Sequence, residues 1–66
     1  MAPLQYIADG YTQTRERAVL WRTWDYTYHI EIGWGTTRRR IDLVDTPYES
    51  ALAQFRQHIV ELVELA

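Results

Sequence analysis

The sequence predicts an α+β domain, an antiparallel sheet of three or four strands in meander order with one C-terminal helix packed on one face. Three observations carry this expectation. Residues 24–34, Trp-Asp-Tyr-Thr-Tyr-His-Ile-Glu-Ile-Gly-Trp, put large apolar or aromatic side chains at even numbers and small or polar ones at odd numbers, the period of a strand with two unlike faces. Just beyond Trp34 the chain resumes as Thr-Thr-Arg-Arg-Arg-Ile-Asp-Leu-Val, so the two stretches read as a hairpin with an aromatic ladder beside an arginine run. Finally, Thr46-Pro47-Tyr48-Glu49 has the form of a helix start.

Taken in order, Leu4 to Ala8 is a weak strand, Asp9-Gly10 is a tight-turn dipeptide, and Tyr11-Thr12 begins a second strand. Gln13 to Arg17 is polar, either a loop or the exposed part of that strand, with Ala18-Val19-Leu20-Trp21 as its buried part. Val19 and Trp21 are odd while the later ladder is even, which predicts a parity change near Arg22-Thr23 and a turn over Thr23 to Asp25. A loop of two or four residues after Ile32 sets Ile32 opposite Thr37, Ile30 opposite Arg39, Tyr28 opposite Ile41 and Tyr26 opposite Leu43. The same register places Glu31 opposite Arg38 and His29 opposite Arg40 on the other side, with Gly33 or Gly35 supplying any positive φ. The helix is expected from 47 to 65, with Thr46 as N-cap, Pro47 at the first position and Glu49 completing a capping box. Its apolar stripe is Tyr48, Leu52, Phe55, Ile59, Leu62 and Ala66, with Ala51 and Val63 at the edges. Val60 and Leu65 widen the apolar arc beyond what one sheet needs, which points to a second chain.

Composition sets the bounds. Sixty-six residues make one domain, 1–66, near the lower size limit for a single core. The absence of cysteine removes both the usual staple of small secreted domains and any cysteine-based zinc site, and favours a cytoplasmic setting. No stretch resembles a signal peptide or a membrane span, since the longest apolar run is Ala18 to Trp21. Nine acids against seven bases, all arginine, give a net charge of −2, so binding to nucleic acid or anionic lipid is disfavoured except locally.

The candidate sites follow from these elements. Arg38, Arg39 and Arg40 are placed to bind a phosphate or an acidic partner, although on a strand Arg38 and Arg40 share one face and Arg39 takes the other. The preferred reading is that they are solvated or ion-paired strand residues, suited to relieve Glu61 and Glu64 in the last turns of the expected helix. Tyr26 and Tyr28 are assigned to the core, and Trp24 and Trp34, at the strand ends, to an interface together with Val60 and Leu65. His29 and His58 have no carboxylate or second histidine at ligand spacing, so neither a metal nor a cofactor is expected, and each histidine is read as a surface or satisfied residue. Ser50 has no neighbouring base, and Asp42 and Asp45 have no fixed partner, so no catalytic residue is assigned. The expected function is therefore non-catalytic, a small binding or assembly protein of the phage accessory-factor or inhibitor kind. It would form a homo-oligomer, a dimer first, and dock on a partner protein. The alternatives are a nucleotide or other phosphate-bearing small ligand held by Arg38 and Arg40 with aromatic stacking, and a nucleic acid held by the arginine strand.

Overall fold

The computed structural model of the chain describes residues 4–23, 25 and 27–66. It contains β1 (Gln5–Tyr11), β2 (Arg17–Arg22), β3 (Tyr28–Ile32), a 3-10 turn (Gly35–Thr37), β4 (Arg39–Leu43), α1 (Tyr48–His58) and β5 (Glu61–Leu65). The α+β class is as expected, but the sheet has five strands, in the order β4-β3-β2-β1-β5, every neighbouring pair antiparallel. The meander is therefore complete by β4, after which α1 carries the chain back across the sheet to pair β5 with the far side of β1.

One face of this sheet is the core. The core-facing residues, even-numbered on β2 and β3 and odd-numbered on β4, stack in rows across the strands, with Ala18 beside Ile32, and Leu20, Ile30 and Ile41 in one line. On them rest Ala51 and Phe55 of α1, both fully buried, with Leu52 and Ile59 packed at the margin. Small Ala8 and Ala18 share this buried cluster with the phenyl ring of Phe55, the mix of small and large side chains that dense packing needs. Tyr28 is buried as assigned. Tyr26 and Trp24 lie outside the described residues.

Five expectations are corrected. Asp9-Gly10 is strand interior, not a turn, and the chain reverses instead at 12–16, where Thr12 and Glu16 bond. The reason is contact with β5: a Cβ on Gly10 would lie 2.3 Å from the Glu61 carbonyl oxygen and 2.9 Å from Ile59 Cδ1. A glycine inside a strand thus marks the close approach of another backbone. No parity change occurs between β2 and β3, which run in unbroken register from Ala18↔Ile32 to Arg22↔Tyr28. The inward residues of β2 are Ala18 and Leu20, both fully buried, and Val19 and Trp21 take the opposite face.

The β3–β4 register is two residues off the expected one, with Glu31 opposite Arg40 and His29 opposite Asp42, because the connecting loop spans 33–38. The even loop length keeps every side chain on its expected face. The helix ends at His58, seven residues early, and residues 61–65 form β5. Thr46 does not cap it; its hydroxyl donates to the Val44 carbonyl, and Pro47 stands at the N-cap position. The Ile-Val-Glu-Leu-Val-Glu-Leu run is rich in β-branched residues that lose rotamer freedom in a helix and fit a strand, and β1 offers it an open edge. Among the described residues no helix is long and apolar enough to cross a membrane.

Candidate functional site

Because α1 covers the even-numbered face, the odd-numbered residues of β2 and β3 stand on an open face with Tyr6, Asp9 and Tyr11 of β1. At the register Tyr6↔Trp21, the two rings meet edge to face, 6.0 Å apart at 80°. The step from Tyr6 to Ala8 against adjacent partners is a bulge at Ile7, and it brings Tyr6 and Asp9 onto one face. The Tyr6 hydroxyl donates to Asp9 Oδ1 at 2.5 Å, and Arg17 Nη2 donates to Asp9 Oδ2 at 2.6 Å. Asp9 is 5% exposed, so this carboxylate is a buried anchor with charged and neutral donors on its two oxygens. Burial first, then Asp9 and Glu64, push the pKa of the Tyr6 hydroxyl up, so Tyr6 stays a neutral donor.

The loop after β3 supplies the opposite wall. Gly33 N–H donates to the Arg17 carbonyl at 2.8 Å, and Gly35 adopts φ +55°, a conformation that favours glycine. Thr37 closes the turn, its backbone N–H and its hydroxyl both donating to the Trp34 carbonyl. Arg38 Nε donates to the Gly35 carbonyl at 3.1 Å. So held, Trp34 sits beside Tyr11, with ring centroids 6.3 Å apart, yet remains 53% exposed. Between loop and sheet lies a groove of about 250 Å³. The sheet lines it with Tyr6, Arg17, Val19, Trp21 and Glu31, and the loop with Trp34, Arg38 and the backbone at Gly33 and Gly35.

The predicted site residues are distributed unevenly. Trp34 and Arg38 meet in the groove. Arg40 shares their face but is outside the lining, with Nε donating to Asp42 Oδ1 at 2.8 Å. Arg39 stands in the row of Ile32, on the helix side, and reaches Glu16 at 3.7 Å. Val60 precedes β5 and Leu65 belongs to it, both exposed and on the far edge from the arginines, so they are not a helix edge. Trp24 lies outside the described residues. Glu61 is relieved by Arg15, at 3.1 Å, not by the hairpin arginines.

Tyr6, Arg17 and Trp21 are site residues that the sequence reading missed. Their shared odd parity along β2 was visible for Arg17, Val19 and Trp21, but apolar side chains were assumed to point inward. His29 also departs from expectation: it is 2% exposed, and its Nδ1 is buried with no partner among the described residues. Burial, then Arg40, lowers its pKa, against the opposing pull of Glu31 and Asp42. The neighbouring Trp21 Nε1 is likewise buried and unpartnered among the described residues. Also among the described residues, no three His, Cys, Asp or Glu side chains group as a metal site. No protein-family model, curated protein or solved structure matches the chain.

Proposed function

We propose that this protein is a small non-catalytic binding module that docks on a partner protein through its open sheet face. The occupant of the groove is a peptide segment with a carboxylate side chain beside an aromatic or aliphatic one. The observation that carries this is the convergence of Trp21, Trp34 and Tyr6 with Arg17 and Arg38 around one concave site. Trp, Tyr and Arg are the residue types that dominate the energetics of protein interfaces, and they act where they are held rigid within a pocket. Trp34 is prepositioned against Tyr11 by a hydrogen-bonded loop, so little conformational freedom is left to lose on binding. Arg38 has a carbonyl partner but no carboxylate among the described residues, which leaves its guanidinium terminus suited to an incoming carboxylate.

Charge decides between this occupant and a polyanion. The open face carries Asp9, Glu31, Asp42, Glu61 and Glu64 alongside its arginines, and Glu31 lines the groove itself. A single carboxylate can settle by Arg38, whereas a triphosphate or nucleic-acid backbone meets repulsion nearby. Arg40 lies outside the groove lining and so does not join Arg38 in a phosphate grip.

Selection of a displayed random-peptide library on the immobilised protein tests this. Enrichment of peptides pairing Asp or Glu with an aromatic or aliphatic residue, lost on Trp34→Ala and on Arg38→Glu, is the expected result. Peptides indifferent to both substitutions, or no enrichment alongside saturable binding of a nucleoside triphosphate, would overturn it.

A further inference from the structure

The two edges of the sheet are unlike, and within one chain they are kept apart by β3, β2 and β1. At one edge, β4 follows Arg38 and contains Arg39 and Arg40; at the other, β5 contains Glu61 and Glu64. Every residue of β5 is exposed, and its apolar side chains are abnormally bare for a small domain, with Leu62 at 39%, Val63 at 54% and Leu65 at 43%. An edge strand of this kind is an open template for pairing unless something guards it.

Alternating direction across the five strands makes β4 and β5 parallel. Their faces also correspond. Glu61 and Glu64 are registered with Tyr11 and Asp9 on the open face, and Leu62 and Leu65 with Gly10 and Ala8 on the helix face. On β4, Arg40 is on the open face with Glu31, and Ile41 on the helix face with Ile30. We propose that the β5 edge of one copy pairs in parallel with the β4 edge of a second copy, like faces aligned, so that the chain self-assembles head to tail. With Val63 skipped as it is against β1, Arg38 falls beside Glu61, Arg40 beside Glu64, and Ile41 beside Leu65.

The competing pairings are worse. Two β5 edges would bring four carboxylates together on one face, and two β4 edges, although an antiparallel register about Ile41 pairs Arg40 with Asp42, would leave the exposed apolar side chains of β5 uncovered. A two-residue slip of the proposed register puts Asp42 beside Glu64. The bulge at Val63 and the two glutamates therefore guard β5 against its own kind, but not against an arginine edge. The ion pairs already present, Arg40–Asp42 and Arg15–Glu61, are more than half exposed on both sides and so are readily exchanged. Head-to-tail contacts of this type close into a ring or extend into a filament. This self-assembly shares Arg38 with the groove, where a peptide carboxylate would compete with Glu61 of the second copy, whereas the Arg40–Glu64 and Ile41–Leu65 pairs lie outside the groove lining and do not depend on its occupant.

The chain has no cysteine, so single-cysteine variants report the contact directly. Light scattering of the wild type should first give a mass that is a multiple of the 7.9 kDa chain. Arg40→Cys and Glu64→Cys, mixed in equal amounts under mild oxidation, should then form the mixed disulfide well above its statistical share, since paired parallel strands bring Cα atoms within disulfide range. A monomeric wild type, a statistical mixture, or a preference for joining two copies of Glu64→Cys would each overturn the proposal. Both substitutions are at exposed positions and leave the groove lining untouched.

Discussion

Replacing Gly10 by alanine should detach β5 from the sheet. The added methyl would sit 2.3 Å from the Glu61 carbonyl oxygen, a backbone atom, and 2.9 Å from Ile59 Cδ1. The side chain of Ile59 can turn aside, but the Glu61 carbonyl moves only if β5 moves. Alanine in a strand gains roughly 0.5–1 kcal/mol over glycine through lower unfolded-state entropy. Overpacking of a tight contact costs about 1–3 kcal/mol, and each net hydrogen bond lost between β1 and β5 adds about 0.5–1.5 kcal/mol. The balance is a loss of about 2 kcal/mol, and at 4–8 °C per kcal/mol for a domain this small, a fall in Tm on the order of 10 °C. Thermal unfolding followed by circular dichroism reads the fall. Hydrogen exchange locates it, because the Val60 and Ala66 amides, which donate to Tyr11 and Ile7, should lose protection while β2 and β3 keep theirs. An unchanged or raised Tm, with both amides still protected, would refute the assignment of Gly10 as a close-approach glycine.

Asp9→Asn should cost about 1.5–3 kcal/mol by denaturant titration, since it weakens a bond from Arg17 and sets an amide against the Tyr6 hydroxyl in a buried site. Phe55→Ala should be more damaging, about 3–5 kcal/mol by the same measurement, because the ring is fully buried between α1 and the sheet. Stability should fall on acidification below the ordinary histidine value of 6.5, because burial lowers the pKa of His29 and the unfolded chain then binds the proton more readily than the folded one. Comparing unfolding free energies across that range for the wild type and His29→Gln, the variant should lack this part of the slope. An equal slope in both would assign the pH dependence to other groups.

Much of the fold was legible because it rests on local rules. The even parity of Tyr28, Ile30 and Ile32 fixes the core face of β3, and an even loop carries that face into β4 whatever its length. Phe55 and Leu52 fall on the helix stripe at the right spacing. Failures came where a distant part of the chain decides. Gly10 looks like a turn glycine until β5 is laid beside β1, and 59–65 satisfies a helical stripe as well as a strand until an edge is available to pair with it. Thr46 and Glu49 spell a capping box, yet the chain enters the helix one residue later, with Pro47 extended at φ −70° and ψ 164°.

The site was half legible for the same reason. Trp34 and Arg38 are near in sequence, and their loop brings them together. Their partners Tyr6, Arg17 and Trp21 come from strands whose order no local pattern specifies. Trp21 in particular is the largest residue of β2 and reads as core, but the core face of β2 is taken by Ala18 and Leu20, and Trp21, one residue on, falls on the open face.

Docking on the open face is tested by chemical-shift mapping of the isotope-labelled protein titrated with a peptide pairing a glutamate with an aromatic residue. Binding should move the indole N–H resonances of Trp34 and Trp21 and the amides of Arg17, Val19, Glu31 and Arg38, leaving those of Ala51 and Phe55 in place. Shifts confined to α1 or to β5, or none at saturating peptide, would contradict a docking surface on the open face of the sheet.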